Sequence, residues 1–266
     1  MTVFLVTGVT GNLGGAALRS LLDRVPASDV RVLVRAAAQA PQLEARGLTV
    51  RVGDYSDRPS LDAALRGVDR AILVSSPILD PVIRAQQHRS FVAASVDAGV
   101  EHVVYTSGMG AAHDPGHSAA ENALADSGLG FTILRNALYS DPFVAKALAD
   151  AREGAVRSAS DGQAFTTAAI ADLGGAASMA AFSPPARSMW ELRGPAWTFD
   201  ELAQSLSALL GREVTHEEVT DAETGPFAVL FPLIRRGVFA AETGDLAEML
   251  GHPPLGITEV AERLLG

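Results

Sequence analysis

The chain has 266 residues, 48% of them hydrophobic, which is enough to bury one large core or one core with a smaller lobe. Its net charge of −10 and the lack of a Lys/Arg cluster argue against nucleic acid or an anionic membrane as a partner. The absence of cysteine excludes disulfides, thiolate nucleophiles and cysteine-ligated metals, and suits a reducing compartment. No apolar run approaches the roughly 18 residues of a membrane span, so we expect a cytoplasmic protein.

The first predicted element is a strand followed by a glycine-rich turn and a helix. The apolar run 3–6 precedes the sequence TGVTGNLGG at 7–15, which leads into leucines at helical spacing. Gly8 allows a tight turn, Gly11 lets the backbone approach a phosphate, and Gly14 lets the helix pack close to the strand. An ordinary glycine-rich turn is the alternative to a dinucleotide site. The predicted cofactor contacts are Thr7, Gly8, Thr10, Gly11, Asn12, Leu13 and Gly14.

Short β-branched runs then alternate with helical segments. Strands are predicted at 30–34, 48–52, 71–74, 103–106 and 131–134, because each is a nearly continuous apolar run. A proline at 59 opens a helix that ends near Gly67, and Asp80 with the following proline opens another that Gly99 closes. This βαβα alternation predicts an α/β fold with a Rossmann-type doubly wound parallel sheet, forming a dinucleotide-binding domain over residues 1–135.

The regular alternation of predicted strands and helices ends after residue 135. A capping box from Thr198 to Glu201 opens a helix that stops at Gly211. The stretch 227–239 is apolar almost all round with a proline inside it, and it predicts a kinked helix that covers something apolar. Residues 136–266 are therefore predicted to form mostly a smaller C-terminal α/β lobe that covers the substrate, with some segments returning to the core sheet.

The end of the second strand indicates the cofactor. An NAD enzyme places an acid there to hold the ribose 2′-hydroxyl, whereas an arginine fits a 2′-phosphate. This chain has Arg35 at that place and no acid before Glu44, so NADPH is favoured over NADH. A solvated surface arginine is the alternative. Asp54, after the third strand, either accepts from the adenine amino group or caps the helix ahead.

Several motifs along the chain together resemble one enzyme family. They are TGVTGNLGG, Arg35, GDY at 53–55, SSP at 75–77, RNALY at 135–139 and WTFDEL at 197–202. This set resembles the atypical short-chain dehydrogenases of the NmrA-like group, in particular the type 2 NADPH:quinone oxidoreductases and the triphenylmethane dye reductases. The resemblance implies a Rossmann domain, NADPH and a substrate cleft between that domain and the C-terminal lobe. The stretch between Tyr105 and His117 is shorter than in the quinone reductases, so the floor of the cleft is expected to differ.

Polar side chains follow the strands at the edge where ligands of open α/β sheets bind. Further predicted cofactor contacts are Tyr55, Ser75, Ser76, Pro77 and Ser107. Asn136 and Tyr139 follow the sixth strand, where an amide and a phenol could hydrogen-bond the nicotinamide or a quinone oxygen. The alternative is that these side chains only stabilise turns, and this alternative is favoured more for Ser76 than for Asn136.

The catalytic pair of ordinary short-chain dehydrogenases, Tyr-x-x-x-Lys, cannot exist in this chain. The residues four positions after its three tyrosines are Pro59, Met109 and Phe143. In the usual place of the pair stands His117-x-x-x-Glu121, which resembles the His-x-x-x-Glu of the quinone reductases. His117 is predicted to orient or protonate the acceptor, with Glu121 one helical turn along to hold the imidazole. A solvated pair on an exposed helix face is the alternative.

Loss of the acid points to an electron-poor acceptor. Hydride addition to a ketone leaves an alkoxide that needs an acid, while addition to a quinone or cationic dye leaves a stabilised product that water can protonate. We therefore expect an NADPH-dependent oxidoreductase of quinones or similar conjugated aromatic acceptors. Residues predicted to line the acceptor are Met109, His113, Phe143 and Phe231. The alternatives are a non-catalytic NADP(H)-sensing regulator and a dedicated reductase of aromatic natural-product biosynthesis. No metal is expected, and a homodimer is an open option.

Overall fold

The computed structural model describes residues 1–266 and divides the chain into two compact units. The first unit combines Met1–Asn136 with Leu173–Glu191, and the second combines Ala137–Asp172 with Leu192–Gly266. Each unit is therefore built from two separate stretches of sequence. None of the helices is both long and apolar enough to cross a membrane.

The chain forms twelve strands and eleven α-helices. The strands are β1 (Phe4–Val6), β2 (Val30–Val34), β3 (Thr49–Val52), β4 (Arg70–Val74), β5 (His102–Gly108), β6 (Gly130–Asn136), β7 (Leu138–Tyr139), β8 (Ala155–Ser158), β9 (Phe165–Ala168), β10 (Met189–Leu192), β11 (Ala196–Trp197) and β12 (Thr215–Glu218). The helices are α1 (Asn12–Leu22), α2 (Ala40–Glu44), α3 (Arg58–Leu65), α4 (Pro81–Asp97), α5 (Pro115–Ala125), α6 (Ser140–Ala151), α7 (Ile170–Phe182), α8 (Phe199–Leu210), α9 (Phe231–Arg235), α10 (Asp245–Leu250) and α11 (Ile257–Leu265).

A seven-stranded sheet in the order β10-β6-β5-β4-β1-β2-β3 forms the centre of the first unit. Strands β1 to β6 pair in parallel, and Phe4 of β1 is in register with Val30 on one side and Arg70 on the other. The strand order reverses between β1 and β4, which is where dinucleotides bind in doubly wound folds. The predicted Rossmann-type sheet is confirmed, and β10 adds a seventh strand beyond β6.

The buried strands and their capped helices explain why this sequence adopts the sheet. Leu5 of β1, Leu73 of β4 and Val103 of β5 are fully buried, and Phe91 of α4 packs into the same core. The predicted start of α4 is confirmed, because the Asp80 carboxylate accepts hydrogen bonds from the first free backbone N–H groups of the helix.

Helix α7 returns to the first unit and packs closely against α1. A Cβ atom on Gly174 would lie 2.5 Å from the Cβ of Ala16 and 2.7 Å from the backbone nitrogen of Ala17. Only a residue without a side chain allows this approach between the two helices.

The second unit contains two small sheets, β11-β9-β7 and β12-β8, and a cluster of aromatic rings. The rings of Phe165 and Trp197 lie 4.5 Å apart between centroids, and those of Phe199 and Phe231 lie 5.7 Å apart. The predicted capping box of α8 is confirmed. Aromatic burial of this kind supplies much of the apolar area that holds a small lobe together.

The kinked helix predicted over 227–239 is wrong. A 3-10 helix spans Asp221–Phe227, and α9 covers only Phe231–Arg235 with Pro232 in its first turn. Proline favours the first turn because its missing N–H has no partner there in any case. The proline therefore begins a short helix instead of bending a long one.

Candidate active site

The glycine turn after β1 has the geometry of an anion-binding turn. Gly8 has a φ of +63°, and its carbonyl oxygen accepts a 2.9 Å hydrogen bond from the N–H of Gly11. A Cβ on Gly14 would lie 2.2 Å from that oxygen, so only glycine fits there. Helix α1 has no capping side chain and no acid in its first turn. Its N-terminal N–H groups and dipole are therefore left for an anion, which fits a pyrophosphate.

Two predicted cofactor contacts form the floor below this turn. The Thr7 hydroxyl is buried; it accepts a 2.9 Å hydrogen bond from the N–H of Val74 and a 2.5 Å bond from the Tyr55 hydroxyl. The Tyr55 hydroxyl also lies 2.9 Å from the Val74 carbonyl oxygen. Burial raises the pKa of the Tyr55 phenol well above its usual range. Both side chains thus tie together the ends of β1, β4 and the loop after β3.

Arg35 is exposed directly after β2, where a ribose 2′-phosphate would be read. The carboxylate of Asp54 accepts a 2.7 Å bond from the N–H of Ser56, which closes a turn within its own loop. The N-cap of α3 is Asp57, so the alternative role of Asp54 as the cap of that helix is wrong.

The loop after β4 is held by hydrogen bonds from α4. Ser76 is buried; its N–H donates to Nε2 of His88 at 2.9 Å and its hydroxyl donates to Oε1 of Gln87. The N–H of Ser75 donates to the Thr106 hydroxyl at 3.1 Å, and Pro77 is exposed. The Ser76 side chain is therefore occupied within the protein, in line with the turn chemistry considered above.

His117, in the first turn of α5, lies half-buried between a cation and a phenol. Its Nε2 is 2.7 Å from Nη2 of Arg84, and its Nδ1 is 2.8 Å from the Tyr105 hydroxyl. Burial lowers the pKa of His117 to about 4, and the charge of Arg84 acts in the same direction. His117 is consequently neutral near pH 7.

Glu121 does not hydrogen-bond His117, so the predicted orienting contact is wrong. Its carboxylate accepts hydrogen bonds from the Arg135 guanidinium at 2.6 and 3.0 Å and from the Ser107 hydroxyl at 2.7 Å. Burial alone would raise the pKa of Glu121, but the bonds from Arg135 and Ser107 outweigh burial and lower it. The alternative of a solvated His117/Glu121 pair on an exposed helix face is also wrong. Glu121 is buried, and its ion-pair partner is the guanidinium of Arg135.

Asn136 ends β6 with an amide that has no partner. The residue is 4% exposed, and neither its Oδ1 nor its Nδ2 has a hydrogen-bond partner. Its backbone oxygen accepts a 2.9 Å bond from the N–H of Met109, and it is paired in register with Gly108. A buried unpaired amide is costly, so an outside group that both donates and accepts would fit here. His113 lies exposed on the 3-10 turn that follows Met109.

Three predicted site residues belong to the second unit. Tyr139 is half-buried on β7 and immediately precedes α6. Phe143 and Phe231 are 3% and 1% exposed, and their rings pack within the aromatic cluster. Both phenylalanines therefore stabilise the second unit in this structure, and their predicted contact with an acceptor remains a prediction.

The second unit also holds an Asp-His-Ser arrangement that resembles a hydrolase triad. Asp200 lies 2.9 Å from Nδ1 of His216, and Nε2 of His216 lies 2.8 Å from the Ser158 hydroxyl. Ser158 is fully buried, however, and its oxygen is shared with the Ser160 hydroxyl at 2.9 Å. A nucleophile needs room for its substrate, so this group serves to join β8 and β12.

Sequence reasoning missed several side chains that hydrogen-bond the loop after β4 or His117, at the C-terminal ends of the parallel strands. These are Arg84, Gln87 and His88 on α4 and Tyr105 on β5. One signal was present: Arg84 and His88 are four residues apart, so they share a helix face. Their partners lie on other elements, and local spacing does not reveal those.

Comparison with known proteins places this site in a family. The family model described as NAD(P)H-binding matches residues 8–174, which include the glycine turn and every strand from β2 to β9. The chain belongs to the NAD(P)H-binding family.

Three comparisons that each cover almost the whole chain agree with this assignment. Quinone oxidoreductase 2 of Escherichia coli K12 is 34% identical, over 97% of each chain. The structure of triphenylmethane reductase from Citrobacter sp. with NADP(H) matches with a TM-score of 0.88 and 32% identity, over 98% of this chain and 99% of that one. The E. coli NADPH-dependent quinone oxidoreductase with NADPH matches with a TM-score of 0.87 and 32% identity, over 99% and 100%. The expected resemblance to these two reductase types is confirmed.

Proposed function

We propose that this protein is an NADPH-dependent reductase that transfers a hydride to a quinone or a similar conjugated aromatic acceptor. Support comes first from the relatives, which are named for quinone and triphenylmethane dye reduction. The observation that carries the proposal is the chemistry of the carboxyl edge. An unpaired amide, Asn136, stands there, while the ring proton of His117 is directed to Tyr105.

The first unit fits a dinucleotide with a 2′-phosphate. The turn at Gly8 and the uncapped start of α1 would hold the pyrophosphate, and the exposed Arg35 would pair with the phosphate on the ribose. When bound, NADPH supplies the hydride. Asn136 would hydrogen-bond the nicotinamide carboxamide or an acceptor carbonyl, since an amide both donates and accepts.

The side chains of this edge suit an acceptor that needs no acid from the protein. Nε2 of His117 accepts from Arg84 and Tyr105 is fully buried, so neither releases a proton readily to a bound substrate. A quinone or cationic dye gives a stabilised product that takes its proton from water. The contribution of the protein is then mainly to place the acceptor beside the cofactor.

The direct test is loss of absorbance at 340 nm with purified protein, NADPH and a panel of acceptors. We expect oxidation with benzoquinones, naphthoquinones, polycyclic quinones and a triphenylmethane dye, and none with aliphatic ketones. Tight NADPH binding without turnover on any member of the panel would contradict a general quinone reductase. That result would favour an NADP(H)-sensing regulator or a reductase with one private aromatic substrate.

A further inference from the structure

Two adjacent side chains on α4, Gln87 and His88, are not among the groups that the proposed hydride transfer uses. Gln87 is 8% exposed and His88 is fully buried, although glutamine and charged histidine are costly to bury. Each of them hydrogen-bonds the loop after β4. Their burial against this loop therefore calls for a function.

His88 presents a hydrogen-bond acceptor to the backbone of that loop. A backbone N–H can only donate, so the 2.9 Å contact from Ser76 leaves Nε2 of His88 without a proton. The ring proton is then on Nδ1, which donates to the Gly116 carbonyl oxygen at 3.1 Å. Burial lowers the pKa of His88 to about 4, so the imidazole keeps this form at neutral pH. His88 thus fastens the loop to the start of α5.

Gln87 bridges two loops that are not neighbours in the sheet. Its Oε1 accepts from the Ser76 hydroxyl after β4, and its Nε2 donates to the Ser56 hydroxyl after β3 at 2.8 Å. Strands β3 and β4 are separated by β1 and β2. In strand order the bridge therefore joins loops on the two sides of β1, the strand that ends in the glycine turn.

A second bridge follows the same route. The Tyr55 hydroxyl, next to Ser56 in sequence, contacts Thr7 and the Val74 carbonyl below the glycine turn. Both loops that flank the turn are thereby tied to each other in the protein itself. Ordering a loop costs conformational entropy, and a loop that is already ordered does not incur that cost when a ligand binds.

We propose that Gln87 and His88 are positioning residues for dinucleotide binding, which fix the loops after β3 and β4 around the glycine turn before the cofactor arrives. This inference needs only the dinucleotide site of the family and does not depend on the identity of the acceptor. It assigns to α4 a role in cofactor affinity.

The test is direct titration of NADPH by protein fluorescence or calorimetry, without an acceptor. Gln87→Met keeps the length of the side chain and removes both hydrogen bonds, and Ser56→Ala removes one end of the same bridge at an exposed position. We expect each to raise the Kd for NADPH, Gln87→Met by at least tenfold. Because they break one bridge, the double variant is expected to bind no more weakly than Gln87→Met alone.

A matched control is His102→Leu, with His88→Leu as its counterpart. His102 is also buried, and its Nε2 contacts the Thr132 hydroxyl at 2.9 Å, but it starts β5 at the opposite end of the sheet. Both variants lose a buried imidazole and are expected to lower the Tm. Only His88→Leu is expected to raise the Kd, and in a turnover assay its KM for NADPH should rise more than its kcat falls.

The inference would be overturned if folded Gln87→Met and Ser56→Ala bound NADPH within twofold of the wild type. It would also be overturned if His102→Leu weakened binding as much as His88→Leu, since loss of stability alone would then explain the effect. Should His88→Leu fail to fold, Gln87→Met and Ser56→Ala still decide the matter. Failure of quinone turnover in the wild type would leave the titration unaffected.

Discussion

Nη2 of Arg84 lies 2.7 Å from Nε2 of His117, and this contact fixes where the imidazole carries its proton. A guanidinium only donates hydrogen bonds, so Nε2 accepts and the proton is on Nδ1, 2.8 Å from the Tyr105 hydroxyl. Tyr105 is fully buried. Both ring nitrogens of His117, the histidine in place of the usual catalytic pair, are thus hydrogen-bonded within the protein.

We therefore predict that His117→Ala lowers quinone turnover by less than about a hundredfold, the low end of a general-acid contribution. Steady-state kinetics with NADPH measures this, and the exposed His252→Ala serves as the control. A loss of several thousandfold with an unchanged Kd for NADPH would identify His117 as an essential acid.

A second prediction concerns the choice of cofactor. Because Arg35 is exposed at the end of β2, we expect NADPH to bind at least tenfold more tightly than NADH, a difference of about 1.4 kcal/mol. Arg35→Ala should remove most of this preference by loss of the phosphate contact. Arg24→Ala, beyond the other end of α1, should leave it intact. Equal affinities in the wild type would refute the role assigned to Arg35.

A third prediction separates stability from function at Asn136. The unpaired amide destabilises the protein without ligand, so Asn136→Leu should raise the free energy of unfolding by about 1 kcal/mol. The same change should weaken NADPH or acceptor binding, because no amide remains to pair with the ligand. Urea unfolding and steady-state kinetics on one preparation test both effects. A destabilised variant with full activity would show that the amide is a structural group.

The fourth prediction is loss of stability in mild acid. Burial lowers the pKa of His88, of His102 and of His117 from 6.5 to about 4. Below pH 6.5 the unfolded chain therefore binds protons that the folded chain does not, so stability is complete above that pH and falls until about pH 4. The fully buried His88 alone accounts for about 3 kcal/mol of this loss.

Urea unfolding at pH 7, 5.5 and 4.5 measures that decline. The slope should be shallower in His102→Leu, since one of the responsible groups is absent. An unchanged stability between pH 7 and pH 4.5 would mean that these imidazoles are protonated in the folded protein.

The strands and helices of the sheet could be predicted because each is indicated by residues close together in the sequence. The bounds of β2 match the apolar run 30–34 without change, and Asp80 begins α4 as its position before a proline indicates. The pairing of side chains could not be predicted in the same way. Glu121 has His117 four residues before it, yet it binds Arg135, which β6 brings alongside β5. The choice between these partners depends on strand order, which spacing within one helix does not contain.

The open amide of Asn136 shows a second limit of the same kind. The RNALY motif is recognisable in the sequence. The lack of a partner for either polar atom of its asparagine is visible only in the folded structure, where Gly108 and Met109 contact its backbone. The apolar neighbours of Phe231 predict a contact with an acceptor, and its ring packs against Phe199 in the interior of the second unit. Its contact with an acceptor stays a prediction.

The return of α7 and β10 to the first unit has a consequence for synthesis. Strand β6 is complete at Asn136, but the strand that covers its open edge ends at Leu192. As the chain leaves the ribosome, that edge is exposed while more than fifty intervening residues are made. Unpaired edges are sites of association between chains. A protein truncated after Asn136 would therefore keep its glycine turn and still be prone to aggregate through β6.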